Sequence, residues 1–366
     1  MLKVLVAPLD WGLGHATRCI PIIKELIDQG CTVIIAAGGT QKTILQEEFP
    51  DLSFIEMPGF WMKYGKNRAF TLLKIIFSIP KILIGIKREN QWLRHFAGRE
   101  GLDLVVSDNH YGLYGAGIFS VFITHQLAIR TSMGSIADEL VRRMNYAYIR
   151  RFSVCWVPDL AGAGNLAGEL SHPSRMPDVT VRYIGWLSRL EAMEVEVVYD
   201  LLILLSGPEP QRTILEEILL AQLGGKARNA VLVRGLPKGG GVVKAPEGLQ
   251  VFDHLAAREL GRMIGQSRVV LARSGYSTVM DLVRLGKKAI YIPTPGQPEQ
   301  EYLGRYLEEE GWGICRPQRG FVLGEAMERV GRSEAPRPVG GDGVLAIEIR
   351  RVLAMVPAQS AAGDLG

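Results

Sequence analysis

An α/β fold built from two parallel sheets is the class this sequence predicts. Three observations carry it. Short Val-, Ile- and Leu-rich runs alternate with longer helical patterns; that alternation starts afresh near residue 200; and 366 residues with 47% hydrophobic side chains suit two cores better than one. Continuous apolar strands separated by helices belong to a parallel sheet covered on both faces.

In the first half the strands are KVLVAPL (3–9), CTVIIAAGG (31–39), LSFIEMPG (52–59), LDLVVSDN (102–109) and VFITHQ (121–126). Between the first two, Ile20, Ile23, Leu26 and Ile27 recur at helical spacing and Gly30 ends the helix. Pro21 fits that helix only in its first turn, because an interior proline removes a backbone donor. A polar stretch rich in Gly and Pro, 162–178, precedes the crossing to the second domain, which gives 1–185 as the first. Strands then recur at 201–207, 229–235, 249–255, 268–274 and 288–294, within a domain of 186–335. Residues 336–366 hold one apolar helix, VLAIEIRRVLAMV, and a tail of small residues that frays.

The charge balance of 42 Lys and Arg against 38 Asp and Glu is too mild for a protein that coats nucleic acid, so no nucleic-acid partner is expected. Four scattered cysteines, Cys19, Cys31, Cys155 and Cys315, have neither zinc-ligand spacing nor a secreted disulfide pattern. A cytoplasmic location fits them. No signal-peptide pattern and no run of about 18 apolar residues is present.

The turn after the first strand reads GLGHATR, 12–18. In a doubly wound sheet ligands bind beyond the carboxyl ends of the strands, which makes this turn a prime site. Gly12 and Gly14 permit close backbone approach, and free N–H groups at the helix start favour an anion or a polar ligand. A dinucleotide fingerprint is excluded, since Thr17 takes the place of its third glycine and no acidic residue follows the second strand. Two readings of His15 stand: a structural cap on its own helix, or a base. A helix N-terminus disfavours the imidazolium and so keeps the ring available as a base.

The segment LARSGYSTVMDLVRLGKKAIYIPTPGQPEQEYLG, 271–304, is the most specific. A buried strand ends at Arg273, after which Ser274, Gly275, Ser277 and Thr278 offer hydroxyls and N–H groups at a helix entrance, a phosphate-accepting arrangement. Asp281, one turn further on, either accepts two hydrogen bonds from a ribose or complements the helix dipole. The proline-rich loop that follows presents Gln297, Glu299, Gln300 and Glu301 to a ligand or to solvent.

This segment resembles the donor-binding half of family 28 glycosyltransferases, whose R-S-G-x-x-T-x-x-E element is matched by Arg273, Ser274, Gly275, Thr278 and, with Asp for Glu, Asp281. Gln300 and Glu301 stand where that family has its Q-Q pair. GLGHATR is similar to the family's GGxGGH loop, THQLAIR to its H-E-Q-N stretch at His125 and Gln126, GWLSR to its G-N-P-x-R, and SGPEPQRT to its glycine-rich GGSxG loop. The resemblance implies GT-B architecture, two Rossmann-like domains facing across a cleft. It implies an acceptor side of Gly12, Gly14, His125 and Gln126, with His15 as the first choice of catalytic base, and we add Asp108 as an expected acceptor-side residue. It implies a donor side of Arg189, Ser206, Gly207, Arg273, Ser274, Gly275, Thr278, Asp281 and Gln300, to which we add Phe252, Ser277, Gln297 and Glu299 as expected donor-side residues.

The activity so implied is transfer of a hexose or N-acetylhexosamine from a UDP-sugar to a hydroxyl of a lipid-linked or cell-envelope acceptor, with inversion. No Asp-x-Asp occurs, so no carboxylate pair is offered to a metal at the diphosphate, and neither metal nor cofactor is expected. Arg189, Arg273 and helix N-termini are left to neutralise the leaving group. Epimerisation of a UDP-sugar and a non-catalytic binding subunit are the competing readings. His125 and, in SDNHYG, Asp108 and His110 are reserve bases, with a structural or acceptor-binding role as the other reading of each. Residues 70–96, apolar and basic, read equally as an interfacial segment at the inner face of the plasma membrane beside a lipid-linked acceptor, or as a core helix broken near Pro80.

Overall fold

A computed structural model of the chain describes residues 1–10, 13–57, 68–115, 117–131, 133–224, 229–337, 341 and 343–357, with the backbone alone for 68–79. Contacts divide it into two units, one of 1–165, 169–187 and 341–366, the other of 166–168 and 188–340.

The first unit begins with β1 (Lys3–Pro8), α1 (Leu13–Asp28), β2 (Thr32–Ala36), α2 (Gly39–Glu48), β3 (Ser53–Ile55) and the long α3 (Arg68–Glu100). It continues with β4 (Leu104–Asp108), β5 (Phe119–Ile123), α4 (Ser135–Ile149), β6 (Val154–Val157) and β7 (Val181–Tyr183). The strands form one parallel sheet in the order β3-β2-β1-β4-β5-β6-β7, so the winding reverses between β1 and β4. Leu93 and Phe96 of α3 cover one face of it, against Leu5, Ile34 and Val105. Alternation between neighbours is absent from β1, where Val4 to Ala7 are all fully buried, as a sheet with both faces covered requires.

The second unit holds β8 (Tyr199–Leu204), α5 (Gln211–Leu223), β9 (Ala230–Val233), β10 (Gln250–Phe252), α6 (Ala257–Gly265) and β11 (Ser267–Ala272). Then come α7 (Tyr276–Arg284), β12 (Lys288–Tyr291), α8 (Pro298–Glu309), β13 (Ile314–Cys315) and α9 (Leu323–Arg332). Its sheet is also parallel, ordered β10-β9-β8-β11-β12-β13, with the reversal between β8 and β11. The last helix, α10 (Val344–Met355), returns to the first unit, where the side chain of Gln29, just after α1, donates to the Ala346 carbonyl at 3.0 Å.

Two expectations need correcting. Pro21 lies in the interior of α1, nine residues into a helix that starts at Leu13. The apolar stripe Ile20, Ile22, Ile23 and Leu26 is fully buried, and that burial outweighs the roughly 3 kcal/mol an interior proline costs. Gly14 is part of the same helix rather than of a turn, while Gly12 lies outside the described residues. The sequence reading also passed over β6, β7 and β13, of four, three and two residues.

Candidate active site

In the first unit, the candidate residues gather where β1, β4 and β5 end side by side. Pairing sets Pro8 against Asp108 and Asp108 against Ile123, so the loops after all three strands emerge together at the reversal point. Helix α1 enters this edge with His15 in its first turn and Arg18 one turn on, three residues later and so on the same face as His15. Asp108 is fully buried and Arg18 is 2% exposed, whereas the His15 side chain keeps 16% of its surface.

Asp108 is the hub. Its Oδ2 accepts from His15 Nδ1 at 3.0 Å and from Arg18 Nε at 2.7 Å, and its Oδ1 accepts from Arg18 Nη2. Arg18 Nη1 also reaches His125 Nδ1 at 3.2 Å. Burial alone would raise the Asp108 carboxyl, but the charges of Arg18 and His15 outweigh it and hold the group well below the usual carboxylate range. Burial lowers the His15 pKa, and Arg18 adds to that while Asp108 opposes it. The ring is therefore neutral near pH 7. His15 Nδ1 faces both Asp108 Oδ2 at 3.0 Å and Arg18 Nη2 at 2.8 Å, while Nε2 bonds to no described residue and is the candidate basic atom.

His110 does different work. It is 6% exposed, its Nδ1 stands 2.9 Å from Glu89 Oε1, and its Nε2 stands 3.3 Å from the Pro8 carbonyl. Glu89 Oε2 also accepts from Gly112 N at 3.0 Å, so this pair ties α3 to the loop after β4. Burial lowers the His110 pKa, but the bond to Glu89 prevails and raises it. Held on both sides, His110 has a structural role.

In the second unit the analogous edge lies beyond β8 and β11. Gly275 precedes α7, and Ser277 and Thr278 in its first turn are partly exposed, so the helix entrance is accessible. Gly207, at φ +100°, lies beside the Thr294 hydroxyl, to which a Cβ would approach within 3.7 Å. Thr294 Oγ1 is itself buried without a hydrogen-bond partner among the described residues. Ser206 is half-buried, and Phe252, half-buried at the end of β10, gives its carbonyl to Arg234 N at 2.8 Å. Asp281 accepts from Ser188 Oγ at 2.5 Å, and Arg189 adds its charge. Burial pushes Asp281 up to about 6 despite both.

Arg273 and Ser274 are corrections. Arg273 is 1% exposed; Nη1 donates to the Ile292 and Pro293 carbonyls at 3.2 Å, and Nη2 to the Gln211 carbonyl and Gln318 Oε1 at 2.7 Å. Burial brings it down to about 10. This guanidinium fastens loops to one another, with Nε buried and without a hydrogen-bond partner among the described residues. The Ser274 hydroxyl is likewise spent on the Gln300 carbonyl at 2.8 Å. Gln300 Oε1 accepts from Thr294 N and Glu301 Oε1 from Gly296 N, both at 2.8 Å, so these two side chains shape the 294–297 loop. Gln297 and Glu299 remain partly exposed at the start of α8.

The structure thus brings together His15, Asp108, His125 and Gln126 on one edge, and Ser206, Gly207, Gly275, Ser277 and Thr278 on the other. Arg18 was missed, and so was Glu89. The signal for Arg18 was present: a cation one turn before Ile22, in the buried stripe of the helix, needs a buried anion.

Comparison with known proteins completes the description. Residues 250–329 match the family model of the glycosyltransferase family 28 C-terminal domain. An "Uncharacterized glycosyltransferase" of Methanosarcina acetivorans is 24% identical over 339 residues, 85% of each chain. A UDP-N-acetylglucosamine--N-acetylmuramyl-(pentapeptide) pyrophosphoryl-undecaprenol N-acetylglucosamine transferase of Methylorubrum extorquens is 34% identical over 113 residues, 30% of this chain and 27% of that one. Among solved structures, the spinosyn rhamnosyltransferase SpnG complexed with thymidine diphosphate superposes with a TM-score of 0.60 at 14% identity, covering 97% of this chain and 96% of the other.

Proposed function

Because the chain is a family 28 glycosyltransferase of GT-B architecture, we propose that it moves a hexose or N-acetylhexosamine from a UDP-sugar to a hydroxyl acceptor, with inversion and without a metal ion. The observation that carries this reading is the His15–Asp108 pair at the reversal point of the first sheet, with Nε2 left bare.

His15 Nε2 takes the acceptor's hydroxyl proton as the oxygen attacks the anomeric carbon, and the bond from that carbon to the diphosphate oxygen breaks. Asp108 holds the ring in the working tautomer and stabilises the imidazolium that forms. The N–H groups opening α7 and the Arg189 guanidinium receive the charge on the departing diphosphate. With Arg273 committed to carbonyls, this load falls chiefly on the helix entrance. Asp281 is the ribose partner, and Gln297 and Glu299 meet the donor sugar.

A UDP donor and a lipid-linked, cell-envelope acceptor are supported by the name of the Methylorubrum relative, and a diphosphate ligand by the complex of the rhamnosyltransferase. Peripheral contact with the inner face of the plasma membrane is supported by the described part of α3, which exposes Leu83 and Ile84 beside Lys81, Lys87, Arg88 and Arg94. Of the apolar and basic segment 70–96, residues 70–79 lie outside the described side chains. Among the described residues no helix is long and apolar enough to cross a membrane.

Incubation with a panel of UDP-sugars and polyprenyl-diphosphate acceptors, with and without EDTA, tests the proposal. Acceptor-dependent UDP release insensitive to EDTA is expected. A chain that binds no nucleotide sugar, or that forms product without an acceptor, overturns it.

A further inference from the structure

Two consecutive residues of α3 grip the loop that follows Asp108. Glu89 Oε2 accepts from Gly112 N at 3.0 Å and its Oε1 stands 2.9 Å from His110 Nδ1, while Asn90 Nδ2 donates to the Gly112 and Tyr114 carbonyls at 2.9 and 2.8 Å. On its other side the His110 ring reaches β1, with Nε2 3.3 Å from the Pro8 carbonyl, and the His110 carbonyl accepts from Ser107 Oγ of β4 at 2.7 Å. One residue therefore joins α3, β1 and β4 beside Asp108.

Both ring nitrogens of His110 face acceptors, one a carboxylate and the other a carbonyl. An imidazolium satisfies the two at once. A neutral ring would set a lone pair against one of these oxygens, in a place where His110 and Glu89 are each 6% exposed. The charged groups that face the ring are Glu89 from α3, Asp108 from β4 and Asp10 from the turn after β1, all of them carboxyl groups. Burial works against the proton, yet the bond to Glu89, aided by its charge, the Pro8 carbonyl and Asp108, retains it.

The backbone delivers His110 through Asn109, whose φ of +60° is a left-handed conformation that asparagine tolerates better than most residues. Asn109 donates from Nδ2 to Asp108 Oδ1 at 3.3 Å and from its backbone N to the Ile123 carbonyl at 3.2 Å. Pro8 is the pairing partner of Asp108 across the sheet. A ring that holds Pro8 and the 109–112 loop together fixes the strand ends from which Asp108 projects and after which α1 carries His15.

We propose that His110 is a positioning residue: its imidazolium, paired with Glu89, holds the ends of β1 and β4 so that Asp108 meets His15. Loss of the proton leaves one of the two ring contacts without a donor and loosens the strand ends. The alignment is complete below the ordinary imidazole value of about 6.5 and is lost as pH rises through the higher folded value. The inference rests on His15 and Asp108 as the acting pair.

Imidazole 15N spectra of the full-length protein, assigned through His110→Gln and His15→Gln, test this without any substrate. At pH 6.5, where a free ring is about half protonated, His110 is expected to be protonated on both nitrogens in nearly every molecule. On raising the pH, the His15 signals are expected to show a second inflection at the His110 midpoint. Glu89→Gln keeps an acceptor oxygen but removes the charge, so the His110 midpoint and that inflection should move down together by about 1 pH unit or more. A His110 ring with one bare nitrogen at pH 6.5 overturns the proposal, and that result needs no variant to fold. So do His15 signals that ignore the His110 titration, and a His110 midpoint that Glu89→Gln leaves in place. Where transfer is measured, kcat should fall with the inflection while the donor KM holds. Absence of sugar transfer with the two titrations coupled refutes the catalytic reading and leaves the positioning role standing. Transfer that depends on His15 with the titrations uncoupled does the reverse.

Discussion

Arg18 and Asp108 form a two-point ion pair sealed from solvent, with the guanidinium edge along the carboxylate and Nε at 2.7 Å from Oδ2. Because Arg18 holds one side of the carboxylate, Asp108 stays anionic and His15 reaches it only through Oδ2. The pair joins the end of β4 to the second turn of α1, so the base is positioned by the same contact that seats its helix.

His15→Gln keeps a hydrogen-bonding side chain but removes the basic nitrogen. We expect kcat to fall by about 10²- to 10⁴-fold with donor affinity nearly unchanged. Steady-state rates beside calorimetric UDP binding check this, and a rate within a few-fold of the parent would return His15 to a capping role.

Asp108→Asn leaves Arg18 buried without its counter-charge, at a cost of about 3 kcal/mol or more. The depressed folded-state carboxyl also gives a pH signature. Its stabilising contribution is complete above the ordinary aspartate value of about 4 and is lost as pH falls toward the folded value. Urea unfolding from pH 7 down to pH 3 should show the parent losing stability steeply at the acid end and the Asn variant doing so more gently.

Asp281, pushed up to about 6, has the opposite sign. The folded chain holds this proton more tightly than the unfolded chain, so its contribution to stability declines as pH rises from about 4 through about 6. If the carboxylate accepts from a ribose, UDP affinity should increase over that same interval. Asp281→Asn should abolish the increase and weaken UDP binding by about 1–3 kcal/mol at pH 7.5. Titration calorimetry at pH 5 and 7.5 decides, and equal affinities for parent and variant would make Asp281 a packing residue tied to Ser188.

Arg273→Met removes donors to three carbonyls and to Gln318, and an unfolding loss of about 2–4 kcal/mol is expected. The folded fraction should bind UDP within about twofold of the parent, since a hydrogen bond to a charged group is worth far more than that. Lost UDP binding in a chain that melts normally would put this guanidinium back on the diphosphate.

Gly112→Ala tests the α3 junction. A Cβ there would sit 2.4 Å from the Ile86 carbonyl oxygen and 2.5 Å from Glu89 Cβ. Relief requires the loop after β4 to move off α3, at about 1–3 kcal/mol. Thermal melting measures the loss.

Sequence alone determined the two parallel sheets, the strand that ends before His15, and the placing of His15, Asp108 and His125 at strand ends, because burial of apolar runs and the chirality of their crossovers leave few alternatives. It also marked Ser274 to Thr278 as a helix entrance. Tertiary structure decided which polar groups remain available. The sequence put Arg273 on a diphosphate and gave Arg18 no role, yet one became a strut among carbonyls and the other the partner of two histidines. A buried charge takes its role from whichever opposite charge or dipole the fold brings within about 3 Å, and residues 90 positions apart, as Arg18 and Asp108 are, acquire that neighbour only when the sheet is assembled.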